Sequence, residues 1–169
     1  HRSVLNSRKR KIVPKAARIE QTMCGIIGIV GEQSVPPLLV DGLKRLEYRG
    51  YDSAGIATLA NGKINLCRAE GKIVNLQAAL EISPMAGKIG IGHTRWATHG
   101  LPTEQNAHPH ATQHVALVHN GIIENFHSLR STLTKQGRVF ESETDSEAVA
   151  HLISSYVEGG MSPEDAVGK

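Results

Sequence analysis

The apolar residues of the chain form alternating strand-like and helix-like stretches that begin after Met23. The first stretch, residues 25–31, contains only aliphatic residues and glycine and predicts a β-strand. From Ser34 the apolar spacing becomes helical, and two prolines fit the first helical turn. The residues on the apolar face of this helix are Val35, Leu39, Leu43 and Leu46.

Two β-type stretches, residues 53–60 and 63–69, are separated only by Asn61 and Gly62. An Asn-Gly pair favours the positive φ angles of a tight turn, so a β-hairpin is predicted here. A short helix and a strand over residues 88–93 follow. That helix has its apolar residues at Ile73, Leu76 and Leu80 and is predicted to stop at Ser83-Pro84.

The polar stretch 99–113 contains two prolines and is predicted to be a loop. A buried strand over residues 115–118 follows it, and then a helix that begins near Asn125 and ends at Gly137. The residues predicted to face inward on that helix are Phe126, Leu129 and Leu133.

The most regular helix is predicted to begin at Thr144, which forms a capping box with Glu147. Its apolar stripe consists of Ala148, Val149, Leu152, Ile153, Tyr156 and Val157. Ser162 followed by Pro163 predicts one more helix start. Because the sequence stops inside that element, we expect it to be part of a longer protein.

Composition and charge narrow the class of protein. The chain has 169 residues, of which 40% are apolar and 21% charged, and this suits one globular domain rather than a disordered or fibrous protein. Residues 1–23 hold seven basic residues and one acid, so this segment carries a charge of +6. Because the net charge of the chain is +3, the remaining residues carry −3. A mildly acidic body is not typical of nucleic-acid binding, so no nucleic-acid partner is expected.

We interpret residues 1–23 as a basic N-terminal extension and residues 24–169 as the domain. The extension has three possible origins: a propeptide, a targeting segment, or sequence ahead of a true start at Met23. Its basic run, residues 8–11, is compatible with nuclear import or RNA binding, but we favour a solvated charge run.

The extension lacks the apolar centre of a secretory signal, and no apolar stretch is long enough to span a bilayer. No membrane association is therefore expected. The two cysteines, Cys24 and Cys67, are too few for a disulfide-stabilised scaffold and favour a reducing compartment. A cytoplasmic protein is the resulting prediction.

Cys24 lies directly before the first predicted strand and one residue after Met23. If Cys24 were the first residue, its α-amino group, with a pKa of roughly 7.7 to 8.0, would provide a base beside the nucleophilic sulfur. The alternative interpretation is a small buried side chain at the start of a strand.

Residues 92–100 place Arg95, Trp96, Thr98 and His99 after a strand end. Arginine can bind a carboxylate through two hydrogen bonds, and tryptophan can form a pocket wall. Asn120-Gly121 offers a side-chain amide beside an unobstructed backbone N–H, which suits an oxyanion hole but equally suits a turn.

Asp145 is predicted to lie in the first turn of a capped helix. Its charge would be favourable with the helix dipole, and it could also pair with an ammonium group. Position alone favours the dipole interpretation.

Taken together and in order, these segments resemble the glutaminase domain of the glucosamine-6-phosphate synthase family. The resemblance extends over essentially all of residues 23–169. The stretches that carry it are residues 23–26, 46–55, 92–100, 106–110, 119–125 and 142–145.

The resemblance implies a class II glutamine amidotransferase with the N-terminal-nucleophile hydrolase fold. That α+β fold is an αββα sandwich of two antiparallel sheets covered by helices, here expected to be incomplete at its C-terminus. The order of strands and helices alone equally allows a parallel α/β sheet.

In the mechanism that the resemblance implies, Cys24 attacks the side-chain amide of L-glutamine, and its free α-amino group handles the proton. Asn120 and the N–H of Gly121 hold the oxyanion. The implied glutamine-binding residues are Arg95, Trp96, Thr98 and His99 for the α-carboxylate, Asp145 for the α-ammonium and Arg49 near the nucleophile. No metal and no cofactor are implied. Ammonia would pass to a C-terminal sugar isomerase domain, absent here, that converts fructose 6-phosphate to glucosamine 6-phosphate in a homo-oligomeric enzyme.

Two features of the sequence depart from the family pattern. With residues 1–23 attached, the nitrogen of Cys24 is an amide and cannot act as a base, so we expect the working species to begin at Cys24. The domain in this family also continues well past Lys169, and we expect a chain without its later strands to lose burial energy.

Three alternatives stay open from the sequence. Glutamine phosphoribosylpyrophosphate amidotransferase shares the N-terminal cysteine and often carries a propeptide, although residues 92–100 and 121–125 fit the sugar enzyme better. A retained extension would favour a non-catalytic glutamine-binding module. A zinc protein is the third alternative, because six histidines lie close together in the sequence, but neither a His-Glu-x-x-His motif nor a pair of closely spaced cysteines is present. The six histidines are His93, His99, His108, His110, His114 and His119.

Overall fold

A four-stranded antiparallel sheet lies at the centre of the structure, a computed structural model that describes residues 23–97 and 100–169. The extension that we assigned to residues 1–23 lies outside the described residues except for Met23. The strands follow the spatial order β1-β4-β2-β3. They are β1 (Gly25–Val30), β2 (Ser53–Ala60), β3 (Lys63–Glu70) and β4 (Ile89–Arg95).

The predicted hairpin between β2 and β3 is confirmed. Ser53 pairs with Glu70 and Ala60 with Lys63, so the register runs through the whole of both strands. Asn61 and Gly62 turn the chain with φ angles of 53° and 72°, the left-handed conformations that this two-residue turn requires.

Two helices cover one face of the sheet. Helix α1 (Pro36–Lys44) has prolines in its first turn, as predicted, and α2 (Ile73–Ile82) ends before Ser83-Pro84. Their apolar sides meet the sheet in one buried cluster, which is the main hydrophobic core. Its members are Val35, Leu39, Val40, Leu43, Tyr51, Ala54, Ile56, Ala69, Ile73 and Leu76.

The opposite face of the sheet meets a small antiparallel hairpin of β5 (His110–Ala111) and β6 (Ala116–Leu117). Gly55 lies on this face, where the backbone oxygen of His108 is so close that an added Cβ would lie 2.4 Å from it. Helix α4 (Asp145–Glu158) packs on the hairpin.

Two further helices complete the described part of the fold. Helix α3 (Phe126–Lys135) packs on α4. Helix α5 (Pro163–Val167) comes after α4 in the chain, and Ser162 is its N-terminal cap. The succession of helix, sheet, short sheet and helix agrees with the expected α+β sandwich. Among the described residues every strand pair is antiparallel, so the alternative of a parallel α/β sheet is wrong.

Several local predictions need correction. The predicted loop over residues 99–113 contains strand β5, because His110 and Ala111 pair with Leu117 and Ala116. The buried strand predicted for residues 115–118 is shorter and only half-buried. Leu46 lies beyond α1 and precedes a short 3-10 turn, Glu47–Arg49.

The helix around residues 126–135 is less buried than its pattern predicts. Only Leu133 is fully buried, whereas Phe126 and Leu129 are half-buried. The cap of α4 is confirmed in part, since Thr144 Oγ1 accepts the backbone N–H of Glu147 at 3.4 Å. The Glu147 carboxylate does not return to Thr144 but accepts the backbone N–H of Glu141 and of Ser142, each at 2.8 Å.

Within residues 23–97 and 100–169, no helix is both long enough and apolar enough to cross a bilayer.

Candidate active site

Cys24 lies at the start of β1, where pairing with β4 fixes its position. The backbone N–H of Gly25 donates to Thr94 Oγ1 at 3.0 Å, directly after the sulfur-bearing residue. Gly25 is required at this point, since an added Cβ would lie 2.7 Å from Leu46 Cδ1 and 2.8 Å from Thr94 Oγ1. Cys24 itself is half-buried and lines a cavity.

The segment after β4 meets the Cys24 sulfur through its backbone. The Trp96 N–H donates to Cys24 Sγ at 3.2 Å, while Cys24 Sγ lies 3.8 Å from the Trp96 carbonyl oxygen. Asp52 holds the same segment, because its Oδ2 accepts the Ala97 N–H at 2.6 Å. The segment that follows β4 thus directs a backbone N–H at the sulfur of Cys24.

Two side chains reach the backbone carbonyl of Cys24. Asn120 Nδ2 donates to this oxygen at 3.1 Å, and Arg49 Nη1 donates to it at 3.4 Å. Asn120 lies in the segment after β6, so the loop that follows the small hairpin is brought against the beginning of β1. Arg49 and Asn120, both named from the resemblance, thus contact the backbone of Cys24.

A cluster of buried histidines lies behind Asn120. His93 Nε2 is 2.7 Å from Asn120 Oδ1, and the His93 ring stacks on His108 with 4.4 Å between centroids. His108 in turn meets His110 edge-on at 4.6 Å. Burial lowers the pKa of His93 to about 4 and that of His110 to about 3, and it lowers the pKa of His108 further. These rings are therefore neutral near pH 7.

Asp145 lies in the first turn of α4 and is 5% exposed. Its Oδ2 accepts the Ile123 N–H at 2.7 Å, and its Oδ1 accepts the Ser146 hydroxyl at 3.1 Å. These bonds hold the carboxylate toward the segment that contains Asn120 and Gly121. Its position fits the favourable interaction with the helix N-terminus and at the same time places a negative charge on the cavity wall.

One cavity with a volume of about 260 Å³ joins these groups. A cavity of this kind, with a sulfur nucleophile, an amide donor and both signs of charge, can hold a small zwitterion. The residues that line it are Met23, Cys24, His93, Arg95, Trp96, His108, His119, Asn120, Gly121, Ile122, Thr144, Asp145 and Ser146.

Most of the residues singled out from the sequence meet here. Six of them line the cavity: Cys24, Arg95, Trp96, Asn120, Gly121 and Asp145. Arg49 contacts the Cys24 carbonyl from outside the lining. Thr98 and His99, the remaining two, lie outside the described residues.

Sequence reasoning missed the groups that hold the site together. The side chains of Asp52 and Thr94 accept hydrogen bonds from the backbone N–H groups of Ala97 and Gly25, and no sequence pattern identifies such pairs. His93 and His108 were noticed only as members of a histidine-rich region that suggested zinc. In the described part of the chain, no group of three or more His, Cys, Asp or Glu side chains is arranged to hold a metal ion.

Comparison with known proteins gives consistent results. Residues 81–163 match the family model described as "Glutamine amidotransferase domain". The chain is 66% identical over 145 residues to the glutamine–fructose-6-phosphate aminotransferase (isomerizing) of Brucella suis and 62% identical to that of Bradyrhizobium diazoefficiens. Each match covers 86% of this chain but only 24% of the relative, so the chain spans about a quarter of their length.

Two solved structures share the fold of this chain. The glutamine phosphoribosylpyrophosphate amidotransferase of B. subtilis, in complex with ADP and GMP, superposes with a TM-score of 0.69 at 32% identity. The match covers 84% of this chain and 31% of that one. A structure titled as the allosteric regulatory enzyme of purine biosynthesis matches with the same TM-score at 33% identity.

Proposed function

We propose that the chain is a glutamine amidotransferase domain, as its match to that family model and its 66% identity to an aminotransferase support, and that it hydrolyses L-glutamine to glutamate and ammonia. One observation carries the proposal: Cys24 lines the same cavity as Asn120, Arg95 and Asp145. A nucleophile, an oxyanion donor and two opposite charges for an amino acid's own charged groups are the parts that this reaction needs.

The reaction begins with the sulfur of Cys24 attacking the carbonyl carbon of the glutamine side-chain amide. The thiol proton passes to the α-amino group of Cys24 and from there to the departing nitrogen, which leaves as ammonia. Water then attacks the thioester, releases glutamate and restores the thiol. This chemistry requires a free α-amino group, so we propose that the working species begins at Cys24.

The negative oxygen of the tetrahedral intermediates needs hydrogen-bond donors. The Asn120 NH₂ group has two hydrogens, of which one is directed at the Cys24 carbonyl and fixes the amide plane. In the proposal, the second hydrogen and the Gly121 N–H bind the oxyanion. Gly121 has a φ of 156°, and an added Cβ would lie 2.8 Å from His119 Nε2, so a side chain at this position would disturb the donor.

The substrate's own charges set its orientation in the cavity. We assign its α-carboxylate to Arg95 and its α-ammonium to Asp145, with Trp96 as a wall of the site. Thr98 and His99 follow Trp96 in the chain and stay predictions for the carboxylate end.

The acceptor of the ammonia follows from the relatives with 57–66% identity. Because they are aminotransferases acting on fructose 6-phosphate, we propose that the complete protein uses the ammonia to form glucosamine 6-phosphate. Phosphoribosylpyrophosphate is the alternative acceptor, supported by the structure of a glutamine phosphoribosylpyrophosphate amidotransferase at 32% identity. A cytoplasmic location and a homo-oligomeric assembly stay predictions.

The experiment compares the complete protein starting at Cys24 with the same protein starting at His1. Glutamate release from glutamine is expected from the first and not from the second, and Cys24→Ala abolishes it. Cys67→Ala is the matched control and keeps the activity. Addition of fructose 6-phosphate, but not phosphoribosylpyrophosphate, is expected to yield an aminated sugar. Equal glutamate release by the Cys24→Ala variant would refute the proposal.

A further inference from the structure

The side-chain amide of Asn120 can point either of two ways, and only one of them serves the reaction. Its Oδ1 faces His93 Nε2 at 2.7 Å, and its Nδ2 faces the Cys24 carbonyl at 3.1 Å. Rotation of the amide by 180° would direct an acceptor oxygen at another carbonyl oxygen and remove the donor from the nucleophile.

His93 is the group that makes these two orientations unequal. An amide oxygen only accepts hydrogen bonds, so His93 Nε2 must carry the proton in the observed contact. With a pKa of about 4, the ring is neutral near pH 7 and holds a single proton, which then resides on Nε2. In this tautomer His93 donates to the oxygen end of Asn120 and cannot accept from its nitrogen end.

The surroundings of His93 keep its ring in one plane. The residue is 1% exposed in the middle of the sheet on β4, and its ring stacks on His108 with an interplanar angle of 22°. His108 is itself oriented, because its Nδ1 accepts the His119 N–H at 3.4 Å.

We propose that His93 is a positioning residue that fixes the Asn120 amide with its NH₂ group toward Cys24. This inference rests on the proposed function, since it assigns His93 a part in the same reaction. His93 touches neither the sulfur nor the substrate in this role; it acts through Asn120. Loss of the Nε2 donor therefore lowers oxyanion stabilisation and leaves glutamine binding nearly unchanged.

The test is a double-mutant cycle in the complete protein starting at Cys24, with glutamate release as the readout. His93→Leu removes the donor at similar volume and is expected to lower kcat about tenfold or more, with KM within about twofold. His93→Gln retains an N–H donor and is expected to recover part of kcat. In an Asn120→Ala background, His93→Leu is expected to cost nothing further, because the group it orients is gone.

A purely structural role predicts a different pattern. His110→Leu serves as the matched control, since it removes a second buried histidine of the same cluster that does not contact Asn120. His110→Leu is expected to lower kcat by the same factor in the protein that retains Asn120 and in the Asn120→Ala background. If His93→Leu also lowers kcat by one factor in both backgrounds, or raises KM alone, the proposal is wrong.

A second measurement needs no activity. The ¹⁵N chemical shifts of the His93 ring at pH 7 are expected to show Nε2 protonated and Nδ1 unprotonated. Protonation of Nδ1 instead would overturn the inference even if the protein hydrolyses glutamine. Absence of glutamate release from the unsubstituted protein would instead refute the proposed function, and the ¹⁵N shifts would still decide the role of His93.

Discussion

The backbone N–H of Trp96 lies 3.2 Å from Cys24 Sγ, although 72 positions separate the two residues. Antiparallel pairing of β1 with β4 produces this contact, because Gly25 lies opposite Thr94 and the residues on either side follow in register. The donor that faces the sulfur is thus a backbone N–H of the segment directly after β4, which the Asp52 carboxylate also holds through the Ala97 N–H.

The two cysteines are expected to differ in their reactivity toward iodoacetamide. Burial, with a smaller contribution from Glu104, raises the pKa of the Cys67 thiol above its ordinary value, so less thiolate forms there near pH 7.5. Cys24 has a backbone donor at its sulfur and opens to the cavity. We expect alkylation of Cys24 well before Cys67, measured by peptide mass spectrometry.

The controls for this labelling use one cysteine at a time. A Cys67→Ala protein is expected to incorporate one label at the rate of Cys24, and L-glutamine is expected to slow that rate. A Cys24→Ala protein is expected to react slowly, with a rate that rises as the pH is raised above 8. Faster labelling of Cys67 than of Cys24 would contradict this account of the site.

Asp145 is expected to bind the substrate in addition to stabilising the N-terminus of α4. Asp145→Asn keeps the size of the side chain but removes the charge that we pair with the α-ammonium of glutamine, so KM is expected to rise about tenfold or more. The helix N-terminus would lose roughly 0.3–1 kcal/mol of stability from the same change. Steady-state kinetics of glutamate release measure the first effect.

Asp165 provides the matched control for the helix contribution. It lies in the first turn of α5 after a serine cap, so Asp165→Asn removes a helix-dipole charge far from the cavity lining. KM is expected to be unchanged in this variant. A KM that rises equally in both variants would show that charge near a helix end, and not substrate contact, explains the role of Asp145.

The hydrophobic pattern predicted the elements well where local chemistry alone decides them. The β2-β3 hairpin depends on Asn61-Gly62, and α5 depends on Ser162-Pro163, so both appear where they were predicted. β5 could not be predicted in this way. His110 and Ala111 form a strand only because Leu117 and Ala116 lie beside them, and a polar, proline-containing stretch gives no local sign of that.

The candidate site shows the same division between local and distant causes. Cys24, Asn120 and Asp145 were found because their side chains carry recognisable chemistry, and the resemblance placed them in one reaction. His93 escaped this reasoning because its role depends on a contact with Asn120, 27 positions away. Orientation of one polar group by another is a property of packing, and the composition of a segment does not reveal it.

Gly55 is expected to be essential for the packing of the histidine cluster against the sheet. An added Cβ would lie 2.4 Å from the His108 oxygen, 2.9 Å from Arg68 Cγ and 2.9 Å from the Cys67 oxygen. Gly55→Ala is therefore expected to lower the free energy of unfolding by about 1–3 kcal/mol. Hydrogen exchange of the β2 amides in the complete protein measures this loss.

Gly28 provides the control within the same sheet. It lies on edge strand β1 with no atom within 4 Å of an added Cβ, so Gly28→Ala is expected to leave the stability unchanged or slightly raise it. If the two substitutions had equal effects, close approach of His108 to the sheet would not be the cause.

The buried histidines are expected to make the domain sensitive to acid. An unfolded histidine has a pKa near 6.5, whereas burial lowers the pKa of His93 to about 4 and that of His110 to about 3. Below pH 6.5 the unfolded chain therefore binds protons that the folded protein does not. Because stability falls with decreasing pH wherever the unfolded state binds more protons, the free energy of unfolding is expected to decline from about pH 6.5 toward pH 4.

Substitution of one histidine tests the size of this contribution. His110→Gln removes one titrating group, so its stability is expected to depend less steeply on pH, by up to about 1.4 kcal/mol per pH unit below pH 6.5. His127→Gln, at an exposed position on α3, is the comparison variant with the same substitution outside the buried cluster. Hydrogen exchange of the α4 amides between pH 4 and 6.5 measures both variants, and an unchanged slope in His110→Gln would contradict the lowered pKa of His110 in the folded protein.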